Sequence, residues 1–285
     1  MTGDSIWMLS LLFGSIVGLS LGLTGGGGAV FAVPLLAYGM GVPAREAVAI
    51  SLVSVGLTSF VGFLGKWRKG EAELRTGLLF AVAGMLGAPI GAWIGRQIPE
   101  AWLMLMLSVL MLTIAWKMWQ KSSRVATQAQ VCVPVEASRR LPDDYANDGP
   151  SCQRNAAGQL ILTSRCARLL LIVGVAAGIL SGMFGVGGGF IIVPALILFS
   201  SMSMSRAVGT SLMVISLVSV SGLVSQIWIG QSITLGITTL FATGGLLGLG
   251  VGQSVAHRLS ASMLQRVFSV AILLVAVFVI VNNLS

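Results

Sequence analysis

The chain has 285 residues, 55% of them hydrophobic and only 9% charged, with 17 basic and 9 acidic side chains. Soluble domains are about a quarter charged, so a mean hydropathy of +0.94 excludes an ordinary water-soluble globule, and the apolar content excludes disorder. The 37 glycines follow no three-residue period, which excludes collagen. The net charge of +8 gathers in short loops and one central segment, so it reads as a topology signal and not as a nucleic-acid footprint.

Charge-free intervals mark the elements in chain order. A span needs about 20 residues at 1.5 Å each. Residues 5–44 are uncharged and barely long enough for two crossings; a glycine run splits them and leaves a short apolar piece at 29–40. Asp4 is the only charge before Arg45, so this first stretch reads as a retained span and not a cleaved signal. The intervals 46–65 (apart from Glu46), 76–95 and 101–116 are single spans. Residues 121–165 break the pattern with Pro134, Pro142, Pro150, Glu136, Asp143, Asp144 and Asp148, and read as a solvated linker. Beyond it lie 169–205, again split by a glycine run with a short piece at 189–200, then 207–257, which must hold two spans, and 267–285. The fold class expected is an all-α polytopic membrane protein with 8–10 transmembrane segments, two of them short or broken.

The two halves repeat. Laying Gly14–Leu52 over Gly174–Leu212 with a constant shift of 160 residues and no gap matches 13 of 39 positions identically. Farther on, a shift of 161 aligns Gly87, Gly91, Leu103, Ser108, Val109 and Leu112 with Gly248, Gly252, Leu264, Ser269, Val270 and Leu273. The expected organisation is a first repeat at 1–120, a polar cytoplasmic linker at 121–165 and a second repeat at 166–285. Internal duplication of this kind is common in secondary transporters. Lys66, Arg68, Lys69 and Arg75 share one loop, and Lys117, Lys121, Arg124, Arg165 and Arg168 flank the linker, which places both regions in the cytoplasm. Five segments per half would invert the repeat and leave only Arg45 and Arg96 outside; four per half, with re-entrant short pieces, would move Arg258 outside.

Three sets of residues could carry chemistry. The first is the matched pair of glycine runs, Gly25, Gly26, Gly27 and Gly28 before Pro34, and Gly185, Gly187, Gly188 and Gly189 before Pro194. Glycine lets a ligand approach the main chain, and a helix restarting after a break aims free N–H groups and its positive dipole end at the gap, which suits an anion. One such run alone reads better as a tight turn between packed helices; two in register favour a substrate site. The second set, glycines at every fourth residue (14/18/22, 174/178/182, 87/91/95 and 244/248/252), reads as helix packing. The third comprises hydroxyls after each proline: Ser51, Ser54, Thr58 and Ser59 recur in part as Thr210, Ser211, Ser216 and Ser219. Ser51 and Ser211 form a repeat pair close to the breaks and complete the candidate pocket, although hydroxyls also serve their own helix. Lys66 and Gln226 are corresponding helix-end residues, and Lys66 is expected to snorkel to the interface.

Absences narrow the chemistry. Neither run ends in Gly-Lys-Ser/Thr, so neither is a nucleotide loop. No acid lies deep in an expected span, which leaves a carboxylate proton relay unsupported. The one histidine, His257, falls at a helix end, which weakens an intramembrane serine hydrolase. Cys132, Cys152 and Cys166 fit neither a zinc pattern nor a disulfide framework. No cofactor and no metal are expected. The partners expected are a small anionic substrate and the lipid bilayer, with no nucleic acid; a homo-oligomer is left open.

The duplicated glycine run and proline, TGGGGAVFAVP and FGVGGGFIIVP, followed by Ala47–Leu52 and by AVGTSL at Ala207–Leu212, resembles the TauE/SafE family, and the resemblance covers nearly the whole chain outside 121–165. It implies a bacterial inner-membrane transporter for sulfur-containing anions such as sulfite or sulfoacetate, with the motif on Gly25, Gly27, Gly28, Pro34, Gly185, Gly187, Gly188 and Pro194. The long linker departs from the family pattern. The function expected is alternating-access anion transport, and not enzymatic catalysis. A passive anion channel, an intramembrane enzyme and a structural membrane subunit are the alternatives.

Overall fold

The computed structural model describes residues 3–113, 153–154, 160–161, 164–189, 192–193, 196, 202, 204–231, 234–256, 270, 273–276 and 278–279. Pro194, His257, Cys132, Cys152 and most of the linker lie outside them; within the linker Gln153–Arg154 pair antiparallel with Leu160–Ile161. The rest is helical. Helix α1 is Gly3–Thr24, α3 Ala44–Arg68, α4 Leu74–Gln97, α6 Ser164–Phe184, α7 Met204–Trp228 and α8 Leu235–Ala256. Between them sit two shorter apolar helices, α2 at Gly27–Gly39 and α5 at Glu100–Thr113. Five of these helices (α1, α3, α4, α7 and α8) are long and apolar enough to cross a membrane. The exposed surface is apolar where a bilayer would touch it: Trp7, Leu12, Leu86, Trp93, Val224, Leu247 and Val251 all face outward.

Helix α2 is irregular for a local reason. Pro34 supplies no N–H and crowds the preceding turn, and the helix changes from 3₁₀ geometry over Gly27–Phe31 to π geometry over Leu35–Gly39 around it. Thirteen residues rise only about 20 Å, short of the roughly 30 Å hydrocarbon core. The segment nevertheless returns the chain along α1: a methyl at Gly28 would meet Ser20 and Leu21, one at Gly39 would meet the Phe13 ring, and Ser10 Oγ lies 3.7 Å from Met40 Sδ.

The glycine stripes explain the packing of the long helices. Methyl groups at Gly14, Gly18 and Gly22 would strike the backbone of Phe241, Gly245 and Leu249, so α1 and α8 run parallel in backbone contact. Gly244, Gly248 and Gly252 answer from the other side against Leu11, Ser15 and Leu19. Helices α4 and α6 pair in the same manner, with Gly87, Gly91 and Gly95 against Val175, Ile179 and Met183, and Gly178 and Gly182 against Gly84 and Ala88. Close approach of this kind is how helices gain van der Waals energy where lipid offers no hydrophobic contrast. At the centre α3 and α7 cross antiparallel, with Gly56 against Ser219, Gly62 against Leu212 and Gly222 against Leu52. Each of these pairs joins an element before residue 120 to one after 165.

Candidate functional site

The glycine runs meet in the buried interior. Helix α1 stops because Gly25 turns left-handed (φ 74°), its N–H still bonding Leu21 O at 2.7 Å. Gly185 ends α6 in the same way (φ 69°), with its N–H on Ser181 O at 2.8 Å. A side chain at either position would be strained in φ and would collide: at Gly25 with Val208, at Gly185 with Val48 and Ser51. The runs then differ. After Gly25 the chain enters the 3₁₀ turn of α2, whereas Gly187 and Gly188 stay left-handed (φ 67° and 66°). A methyl at Gly26 would sit 2.9 Å from the Gly189 backbone, so the two breaks touch.

Two serines pin these breaks reciprocally. Ser51 of α3 donates toward Gly185 O at 2.7 Å and Val48 O at 2.8 Å. Ser211 of α7 donates toward Gly25 O at 2.7 Å and Val208 O at 2.8 Å. Each hydroxyl has a single proton, shared between its own helix and the glycine carbonyl of the other half. Both serines are fully buried. Other donors at the first run are also engaged, since Gly27 N–H bonds Thr24 Oγ1 at 3.1 Å and Thr24 Oγ1 bonds Ser20 O at 2.7 Å. The structure thus brings together Gly25, Gly26, Gly189, Gly185, Ser51 and Ser211, with Gly27, Gly28, Gly187 and Gly188 in the same buried runs. Pro34 is buried within α2, about two turns farther on.

Two voids in the bundle are narrow. One void is lined by Gly14, Gly18, Leu21, Ser54, Thr58 and Phe241 and admits no water. A second, of about 10 Å³, is lined by Arg45, Arg96, Met183, Gln226 and Gln231, roughly one water's worth.

The two ends of the bundle are closed by different chemistry. At one end the loop between α3 and α4 folds onto the start of α7: Lys66 Nζ contacts Glu71 Oε2 at 2.6 Å and Ser205 Oγ at 3.5 Å, and Glu73 N–H donates to Thr210 Oγ1 at 3.0 Å. Hydrogen bonding from Lys66 holds the Glu71 carboxyl below its ordinary range, with Ser205 and Lys69 assisting against partial burial. Lys66 is therefore tied to a partner and does not simply reach for the interface. At the other end Thr234 N–H and Oγ1 donate to Glu46 Oε1 at 3.2 and 2.5 Å. There Arg45 donates to Arg96 O at 3.1 Å and Ile98 O at 3.3 Å, and Gln226 Nε2 to Gly182 O at 3.3 Å. Sequence reasoning passed over Glu46, Thr234 and Glu71; their signal was only position, a polar residue at the mouth of an apolar helix.

The family model described as Sulfite exporter TauE/SafE matches residues 10–279. The chain belongs to the TauE/SafE family. Its relatives in that family carry transporter names. A "Probable membrane transporter protein" of Xylella fastidiosa strain Temecula1 is 32% identical over 272 residues, covering 94% of this chain and 92% of its own. The "Probable membrane transporter protein YdhB" of Bacillus subtilis is 27% identical over 221 residues, covering 75% and 76%. The "Probable membrane transporter protein YunE" of the same organism is 23% identical over 281 residues, covering 94% and 95%. No solved structure matches the chain. Family, relatives and apolar helices together make this TauE/SafE protein a multi-pass membrane transporter.

Proposed function

We propose that the protein is a secondary transporter of the bacterial inner membrane that moves small sulfur-containing oxyanions, of the sulfite or organosulfonate kind, by alternating access. The observation that carries this reading is the pair of buried glycine breaks, touching each other and each pinned by a serine from the other half. Such a site places backbone dipoles in a low-dielectric interior, which suits an anion. Among the described residues the acids sit at helix mouths or in loops (Asp4, Glu46, Glu71, Glu73, Glu100), so none would repel an anion midway. The family description names sulfite export, which favours a sulfur oxyanion over a halide.

Alternating access is supported by the tight packing around the breaks and by the two separately fastened ends. The antiparallel α3/α7 crossing and the equivalent serine contacts favour two homologous, inverted halves, 1–120 and 166–285. The basic loop around Lys66 then lies in the cytoplasm together with the linker at 121–165. We take the protein to be a carrier and not an enzyme, with the lipid bilayer and the anion as its partners.

Purified protein in liposomes provides the test. Uptake of labelled sulfite, isethionate or sulfoacetate should saturate and should accelerate when the same anion is loaded on the far side. Flux linear in concentration without that acceleration would indicate a channel, and no flux of any sulfur oxyanion would overturn the substrate class.

A further inference from the structure

Most buried hydroxyls among the described residues have a hydrogen-bond partner, several of them on their own helix. Thr58 donates to Ser54 O at 2.6 Å, Ser108 to Met104 O at 2.8 Å and Ser216 to Met213 O at 2.9 Å. Among the described residues, four have none: Ser54, Ser59, Ser181 and Ser219 are buried with no hydrogen-bond partner for Oγ. A serine inside a helix can nearly always reach a carbonyl three or four residues back, so an unspent buried hydroxyl calls for an explanation.

Two of these four, Ser59 and Ser219, are related by the same 160-residue shift that relates Ser51 to Ser211. Both are sealed, at 0% and 1% exposure. Both lie at the crossing of the two central helices. A methyl at Gly56, one turn before Ser59, would come within 2.9 Å of Ser219 Cβ. Ser219 Oγ is also aimed at the second glycine run, 3.5 Å from where a side chain on Gly187 would begin. The run is thus flanked by Ser51, whose proton is engaged with Gly185 O, and Ser219, whose proton is not.

From this arrangement we infer that Ser59 and Ser219 are direct binding residues for the transported oxyanion, donating one hydrogen bond from each half at the midpoint of the path. The inference rests on the oxyanion-carrier reading above and adds side-chain contacts to it. Ser51 and Ser211 hold the glycine turns in shape; Ser59 and Ser219 meet the solute. An anion with several acceptor oxygens accepts from both hydroxyls at once. When the bundle opens toward either face, one donor stays with the anion as the other lets go.

The test uses the full chain in liposomes with a panel of anions: sulfite, isethionate, sulfate, acetate and chloride. Ser59→Ala and Ser219→Ala should each raise KM about tenfold and together more than either alone. Ser59→Thr and Ser219→Thr, which keep the hydroxyl, should restore most of the affinity. Ser108→Ala, whose hydroxyl is spent on its own helix, should leave KM unchanged. Removing an unpaired buried hydroxyl does not cost a contact, so the alanine variants should keep or raise the thermal midpoint. An unchanged KM in the alanine variants, or a lowered midpoint with loss of protein, would overturn the assignment. Serine-sensitive flux of acetate or chloride only would keep Ser59 and Ser219 and discard the sulfur-oxyanion class. Sulfonate flux indifferent to both serines would do the reverse, and no flux of any anion would discard both.

Discussion

At the scale of single residues, space and hydrogen-bond geometry make sharp demands. The face of α1 at Gly18 is in contact with the Gly245 carbonyl. Gly18→Val would therefore force the parallel α1/α8 pair apart, at a cost of about 1–3 kcal/mol for overpacking, read as a lower thermal midpoint in detergent. Gly236→Ala is the contrast, because nothing lies near its would-be side chain and the substitution should be close to neutral. Ser51→Ala and Ser211→Ala each remove one donor to a glycine carbonyl, and each should destabilise by about 1 kcal/mol, as a lost buried hydrogen bond does. Their effects should be of equal size, because the two serines make the same pair of contacts. Unequal midpoints would mean that the two breaks are held by different forces.

At the scale of elements, the spacing of four among glycines is legible in the sequence because it fixes which face of a helix is bare. The identity of the partner is not legible, since periodicity names a face and never the surface opposite it. Gly14, Gly18 and Gly22 could have met any small-residue stripe; the structure pairs them with α8. The glycine runs were legible as breaks, but a hydroxyl's direction depends on tertiary packing, so Ser59 and Ser219 looked no different from Thr58 or Ser216. The short piece after the first run was ambiguous because its length fits neither a full span nor a simple turn; its contacts with Phe13 and Ser20 give its direction. The loop from α3 to α4 supports a pH prediction. Glu71 titrates below its ordinary range because Lys66 holds the charged form. The group's folded pKa is depressed, so its contribution is present above the normal carboxylate pKa and is lost as pH falls through the lower, folded value. Partial exposure keeps the contribution small. Acidification should loosen this end, seen as faster proteolysis or labelling near residue 71. Glu71→Gln should show the loosened state at neutral pH and lose the acid dependence.

At the scale of the whole molecule, the close packing links helices early in the chain to helices late in it: α1 with α8, α4 with α6, and α3 with α7. A simple rocking of one half against the other would tear the glycine contacts that hold the bundle together. The motion compatible with the packing keeps the α1/α8 and α4/α6 pairs rigid and lets them tilt against the central α3/α7 crossing. Under the alternating access proposed above, the Lys66–Glu71–Ser205 end and the Glu46–Thr234 end would open in turn. A disulfide between Glu71→Cys and Ser205→Cys, made in a chain without Cys132, Cys152 and Cys166, should arrest flux, and reduction should restore it. Flux that continues through the cross-link would place the moving parts elsewhere.

The reciprocal serine contacts also bear on how the chain is made. Gly25 gets its serine from residue 211, and Gly185 gets its serine from residue 51. When the ribosome has released only the residues before 120, α1 and α4 have bare glycine stripes and the first break has no clamp. Those glycine faces stay uncovered until the residues after 164 arrive. The two stretches thus complete each other, and a chain ending before residue 164 would lack the surfaces that cover α1, α3 and α4.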